Sequence, residues 1–192
     1  MDRRNFVAAV TALTLSLAIT GISAAQMYTP AQTARSTLLL LRIDGIPGDS
    51  AVDRHKGEID IESYSWVESR AASGAPGGGA TGRVNAGSFH FSARSSQASP
   101  RLFQACASGQ VLRSAVLTVW ITQQERQYWR MWDVTVHHYK NSLDLKKDLM
   151  SWDEFSLDFA RIEFDYRPVS LSGGPAPPPI RSGWDVRANR PF

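Results

Sequence analysis

The chain contains a single cysteine, Cys106, so no disulfide can form within it. Any core must therefore hold by packing, which a domain of this length can manage. Charge of one dominant sign is also missing. Lys and Arg number 21 against 18 Asp and Glu, a net charge of +3, and no block of either sign occurs. A nucleic-acid protein would cluster its cations on one face, so nucleic acid is not an expected partner. Past Ala25 no run is long and apolar enough to span a bilayer. No serine sits in a Gly-x-Ser-x-Gly elbow. The Gly-rich stretch 70–82 lacks the Gly-Lys-Ser/Thr ending of a phosphate loop and follows no buried strand. The candidate bases are His55, His90, His137 and His138. His137 and His138 are neighbours on an expected strand, so they should point to opposite faces and not share a metal. The spacing of Asp and Glu offers no carboxylate pair. Neither a catalytic residue nor a metal or other cofactor is expected.

What is present begins with a targeting segment, residues 1–25. Arg3 and Arg4, followed by Asn5, Phe6 and Val7, fit the twin-arginine pattern of signal recognition. The apolar stretch behind them is softened by Thr11, Thr14, Ser16, Thr20 and Gly21. Ser23-Ala24-Ala25 supplies the small residues a signal peptidase needs, so cleavage is expected after Ala25. An ordinary secretory signal fits the same composition, and residues 6–25 are also just long enough for an uncleaved anchor. The expected product is exported, periplasmic or secreted, with no membrane attachment once the signal is gone. Residues 26–36 form a polar leader, and residues 37–192 the folded domain.

That domain reads as mainly β. Residues 37–43 are apolar on both faces and suit a buried strand. Residues 44–57 carry Gly45, Pro47, Gly48 and Gly57 among charges, a long loop of the kind that carries function. In residues 58–69 the apolar phase passes from Ile59 and Ile61 to Tyr64 and Trp66, which predicts a β-bulge near Glu62-Ser63. Residues 83–94 place Phe89 and Phe91 on one face and Ser88, His90 and Ser92 on the other. Residues 99–108 suit a helix with Ser99 as cap, Pro100 in its first turn and Gly109 as its stop. Leu102, Phe103 and Cys106 should share its packed side, with Cys106 a small buried hydrophobe.

Residues 113–123 alternate strictly, with Ala115, Leu117, Val119 and Ile121 inward and Thr118, Trp120 and Thr122 outward. After a turn at Glu125-Arg126, residues 127–140 carry Trp132, Val134 and Val136 on one face and Trp129, Met131 and Tyr139 on the other. The two make a hairpin. Residues 155–167 change phase from Leu157 and Phe159 to Ile162 and Phe164, a second bulge near Ala160-Arg161. Residues 172–179 are a proline-rich loop, and residues 183–189 a short last strand. Strands, bulges and one helix point to an antiparallel β-barrel with one flanking α-helix. Trp120, Trp129 and Trp132 suit either core or a subunit interface. A strand bulky on both faces needs cover on both, and a small barrel has one inside.

The ordered segments also resemble the haemolysin-coregulated protein (Hcp) family, the tube proteins of type VI secretion. Leu41-Arg42-Ile43-Asp44-Gly45-Ile46-Pro47-Gly48 resembles its first strand and turn. His55-Lys56-Gly57-Glu58-Ile59 with Ser63-Tyr64-Ser65-Trp66 resembles its second strand, and Ala98-Ser99-Pro100-Arg101-Leu102-Phe103-Gln104-Ala105-Cys106 its helix. Leu157-Asp158-Phe159-Ala160-Arg161-Ile162-Glu163-Phe164 and Gly183-Trp184-Asp185-Val186-Arg187 resemble its last strands. The resemblance implies a barrel that closes with five copies of itself into a homohexameric ring. Rings would stack into a tube whose lumen carries effector proteins. Partners would be the chain itself, with secretion tip or effector proteins beyond. The loop residues Asp44, Gly45, Asp49, Asp53, Arg54, His55 and Lys56 are implied contacts between stacked rings. The signal segment departs from the family, whose tube proteins normally carry none. That departure leaves an exported binding module acting outside a secretion apparatus as the alternative.

Overall fold

Alternating apolar residues build strands whose inner faces close on one another. In this computed structural model the described residues are 37–70, 84–121, 124–145, 149–170 and 174–192. The targeting segment, the leader, most of the Gly-rich loop, Thr122 and the start of the proline-rich loop lie outside them. The strands before the helix are β1 (Thr37–Ile43), β2 (Ile59–Ser65), β3 (Glu68–Arg70), β4 (Val84–Ala86) and β5 (Phe89–Arg94). Helix α1 (Ser99–Ser108) leads to β6 (Val111–Ile121), β7 (Gln124–Ser142) and β8 (Trp152–Asp158). Then come β9 (Arg161–Tyr166), β10 (Ile180–Asp185) and β11 (Arg190–Pro191).

Six strands pair antiparallel in the order β7-β6-β1-β2-β5-β8, and β8 pairs back with β7 to close the barrel. Closure leaves no free edge among them. Strand β7 closes the barrel and also leaves it. Its second half, from Thr135 to Ser142, pairs with β8. Its first half, from Gln127 to Trp132, pairs with β9, which carries β10 and β11 outward as an arm. Between the halves sits Asp133 with φ 51°. The inward positions shift there: Met131, Val134 and Val136 are all buried. Trp132, Val134 and Val136 were expected on one face and Met131 on the other; the positive φ at Asp133 breaks that pattern and buries Met131 with Val134 and Val136.

The core is a single cluster that includes Leu41, Phe89, Leu117, Phe155 and Leu157, each at most 1% exposed. Trp66 stacks on Phe89 at 5.8 Å, and Phe91 on Phe155 at 5.3 Å. Such ring contacts add about 0.5–1.5 kcal/mol each beyond their buried area.

The bulge expected near Glu62-Ser63 is present as a register shift between Ile61 and Ser63. The one expected near Ala160-Arg161 is a full break between β8 and β9, where Ala160 N–H bonds Trp132 O at 3.0 Å. Glu125-Arg126 is not a turn, because Glu125 already pairs with Trp120 inside the ladder. The strand expected at residues 183–189 is β10, from Ile180 to Asp185; residues 186–189 turn into the two-residue β11. Helix α1 has the expected ends, except that Ala98 takes the N-cap position without a side-chain bond. Ser99 instead accepts from Ser96 N–H at 2.9 Å and donates to Asp153. Leu102 and Ala105 are buried and Cys106 half-buried, whereas Phe103 faces outward at 61% exposure.

Candidate functional site

The loop between β1 and β2 is a folded excursion held by its own backbone. Gly45, at φ 82°, lets the chain turn so that Ile43 bridges Ile46. Gly48 N–H then bonds Gly57 O at 2.8 Å, Ser50 N–H bonds Glu58 O at 2.9 Å, and Gly57 N–H bonds Ser50 O at 2.9 Å. A Cβ on Gly48 would collide with the Glu58 carbonyl. Ile46 and Ser50 are buried at its base.

Six of the seven loop residues singled out by sequence face solvent: Asp44, Gly45, Asp49, Asp53, Arg54 and Lys56. His55 does not. It is 7% exposed, with Nδ1 at 3.0 Å from Glu58 and Nε2 at 3.3 Å from Glu125 on β7. A loop histidine among charges looks solvated in sequence. Here it is the bolt between the loop and the barrel. Asp49 accepts from Gln97 N–H at 3.1 Å, and Gly45 O from Arg101 at 3.1 Å, so the loop is also tied to α1.

The three candidate tryptophans are half-buried and lie apart. Trp120 packs beside His55, ring centroids 5.6 Å apart. Trp129 stacks on Phe164 at 4.0 Å and meets Trp66 edge-on at 5.3 Å. Trp132 meets Phe192 edge-on at 5.9 Å, with Arg161 over its ring at 5.7 Å. The indole N–H groups of Trp120 and Trp129 are buried with no partner.

A second group joins three of the candidate bases, His90, His137 and His138, to serines that were not singled out. On the outer face of β2, β5, β8 and β7, the registers align Ser65, His90, Ser156 and His138 in one row. This row lines a cavity of about 660 Å³, together with Ser63, Ser92 and His137. The expectation that His137 and His138 face opposite ways fails, because a register shift between Val136 and His138 leaves both exposed and both lining that cavity. Among the described residues no group of three or more potential ligands could hold a metal. Ser156 Oγ is bonded to neither imidazole, so the row is not set as an activated nucleophile. Alternation in residues 155–157 marks Ser156 as outward, but only the register shows which residues flank it.

Two buried carboxylates brace the frame. Asp153 accepts from Ser95, Ser99, Tyr139 and Asn141, joining β5, α1, β7 and β8. Burial, the bond to Asp153 and that residue's charge push the Tyr139 phenol up to about 12. Asp165, fully buried, pairs with Arg130 of β7 at 3.4 Å and Arg181 of β10 at 3.1 Å.

The fold class is a closed six-stranded antiparallel barrel with, among the described residues, a single flanking helix. The family described as type VI secretion system effector, Hcp, matches residues 40–166, and the chain belongs to it. Its members are secreted structural components of type VI secretion, the tube proteins of that system. Protein hcp1 of Pseudomonas aeruginosa is 28% identical over 156 residues, 79% of this chain and 96% of that protein. The crystal structure of Hcp1 from Salmonella typhimurium matches with a TM-score of 0.68 at 28% identity, over 81% of this chain and 99% of that one. Hcp2 from the same organism gives 0.60 at 25% identity, over 80% and 98%.

Proposed function

We propose that the barrel closes with copies of itself into a six-membered ring, and that rings stack through the loop between β1 and β2 into a tube able to carry effector proteins. The observation that carries the reading is the arm. Strands β9 to β11 leave the closed barrel and expose Tyr166 at 39%, Ile180 at 65% and Phe192 at 59%. A closed barrel has no remaining inside for them, and a neighbouring copy is what would cover them. Head-to-tail contact of this kind closes into a ring when the rotation permits. The stacking contacts would come from Asp44, Gly45, Asp49, Asp53, Arg54 and Lys56, with His55 holding the loop's shape. Trp120 and Trp132 would border subunit contacts, whereas Trp129 is engaged within the chain. Residues 1–25 would route the chain to export through Arg3 and Arg4, with cleavage after Ala25.

Light scattering with negative-stain imaging of the protein tests assembly. Six-membered rings are expected, and Ile180→Glu should reduce them to monomers while the melting temperature holds. Rings that persist in Ile180→Glu would remove the arm from the interface, and a wild-type monomer would remove the tube reading. Cell fractionation tests export. A shortened product in the periplasm or medium is expected, and full retention of it in the cytoplasm would refute the signal.

A further inference from the structure

The side chain that fastens the loop between β1 and β2 has acids against both of its ring nitrogens. His55 Nδ1 lies 3.0 Å from Glu58 Oε2, and Nε2 lies 3.3 Å from Glu125 Oε1. A carboxylate offers acceptors only, whereas a neutral imidazole has one N–H and one lone pair. A neutral His55 therefore satisfies one acid and turns its lone pair toward the other. Both contacts are attractive only when the ring carries a second proton and is an imidazolium.

The groups around the trio fix this arrangement. Along the loop, Asp53, Arg54 and Lys56 are exposed, while His55 and Glu58 are buried. Strand β7 brings Glu125, whose other oxygen, Oε2, takes the Tyr128 hydroxyl. The segment after β9 brings Arg167, 3.9 Å from that same Oε2. Oε1 is thus left for His55. Strand β6 adds the uncharged ring of Trp120, 5.6 Å from the imidazole. Burial makes the loss of either contact costly, because little water reaches in to replace it. The loop backbone meets at the same residue: His55 N–H bonds Val52 O at 2.9 Å, and Glu58 N–H bonds His55 O at 3.1 Å.

We propose that His55 is a proton latch, which holds the loop between β1 and β2 on the barrel while its ring is protonated and releases the loop when the ring becomes neutral. The sign follows from the two acids. They attract the charged ring, so closure is strongest on the acid side of the imidazole titration, where both carboxylates remain ionised, and weakens on the alkaline side. Imidazoles change charge between about pH 5 and pH 8. The exposed residues Asp49, Asp53, Arg54 and Lys56 ride on the loop, so the latch decides whether that rim keeps one arrangement. It acts within one subunit and does not rest on ring assembly.

The test is amide exchange of the purified protein by NMR, with each rate divided by its intrinsic rate at that pH so that protection alone is compared. From about pH 6 to about pH 8, protection at Gly48, Ser50 and Gly57 should fall about tenfold or more, the loss of one bond between charged groups. Leu117 and Leu157 should keep theirs. Glu125→Gln separates a latch from a plain contact. A glutamine presents a donor as well as an acceptor, so it suits the neutral ring as well as the charged one. In that variant the loop should stay protected across the same range. Glu58→Gln makes the same test should Glu125→Gln fail to fold. His90→Gln, a change on β5 outside the trio, should keep the full dependence. Protection that does not change with pH, a fall shared by Leu117 and Leu157, an undiminished fall in a folded Gln variant of either acid, or loss of the dependence in His90→Gln would each overturn the proposal.

Discussion

Asp153 is 2% exposed and takes hydrogen bonds from Ser95, Ser99, Tyr139 and Asn141. Its position in a charged, irregular-looking stretch of sequence concealed this. Only its place two residues before Phe155 in the same alternation hinted that it points inward. Replacing it by alanine strands four donors at the junction of helix and barrel. Asp153→Ala should therefore lower stability by about 3 kcal/mol or more, measured by urea unfolding. Tyr139 gives the same junction a pH signature. Its phenol rises from 10.0 to about 12, so the folded protein holds that proton where the unfolded chain has released it. Stability from this group is complete below pH 10 and is lost as pH rises toward 12. Denaturation midpoints of the protein should fall across that window, and Tyr139→Phe should flatten the fall. An equal fall in Tyr139→Phe would mean that other groups cause it.

At the scale of elements, the bulges show what sequence makes legible. The shift between Ile61 and Ser63 was readable because Ile59 and Ile61 contrast with polar neighbours, as do Tyr64 and Trp66. The irregularity at Asp133 was not, because β7 is bulky on both faces and apolar phase carries no contrast there. The bulge at His137 was hidden for the opposite reason, since two histidines and a lysine around Tyr139 leave no apolar alternation to follow. The helix stop at Gly109 and the first-turn Pro100 were legible, whereas Ser99, expected as cap, lies inside the helix and Ala98 takes the cap position. The same division holds for the loop between β1 and β2. Its glycines announce turns, but its bolt is a pair of contacts from His55 to Glu58 and to Glu125, the latter seventy positions away. Releasing the bolt should loosen the loop and not the barrel. His55→Ala is expected to speed amide exchange at Gly48, Ser50 and Gly57 by about tenfold or more, while Leu117 and Leu157 stay protected. Uniform acceleration across the barrel would instead make His55 a core residue.

For the whole molecule, the proposed assembly uses two surfaces of unlike physics, and that difference is measurable. The arm exposes Tyr166, Ile180 and Phe192, so contact between subunits within a ring would be chiefly apolar. The loop rim carries Asp44, Asp49 and Asp53 with Arg54 and Lys56, all exposed, so contact between rings would be chiefly ionic. Salt screens exposed charges, with a Debye length of about 8 Å at physiological ionic strength and about 3 Å at 1 M. Apolar burial is not weakened by the same change. Raising salt should therefore separate stacked rings while leaving each ring whole. Sedimentation across a salt series would show long assemblies giving way to a single ring-sized species. Arg54→Glu should shift that transition to lower salt, because it replaces an attractive charge on the rim with a repulsive one. Rings that fall apart together with the stacks would mean that one kind of contact holds both, and the division between arm and loop would have to be abandoned.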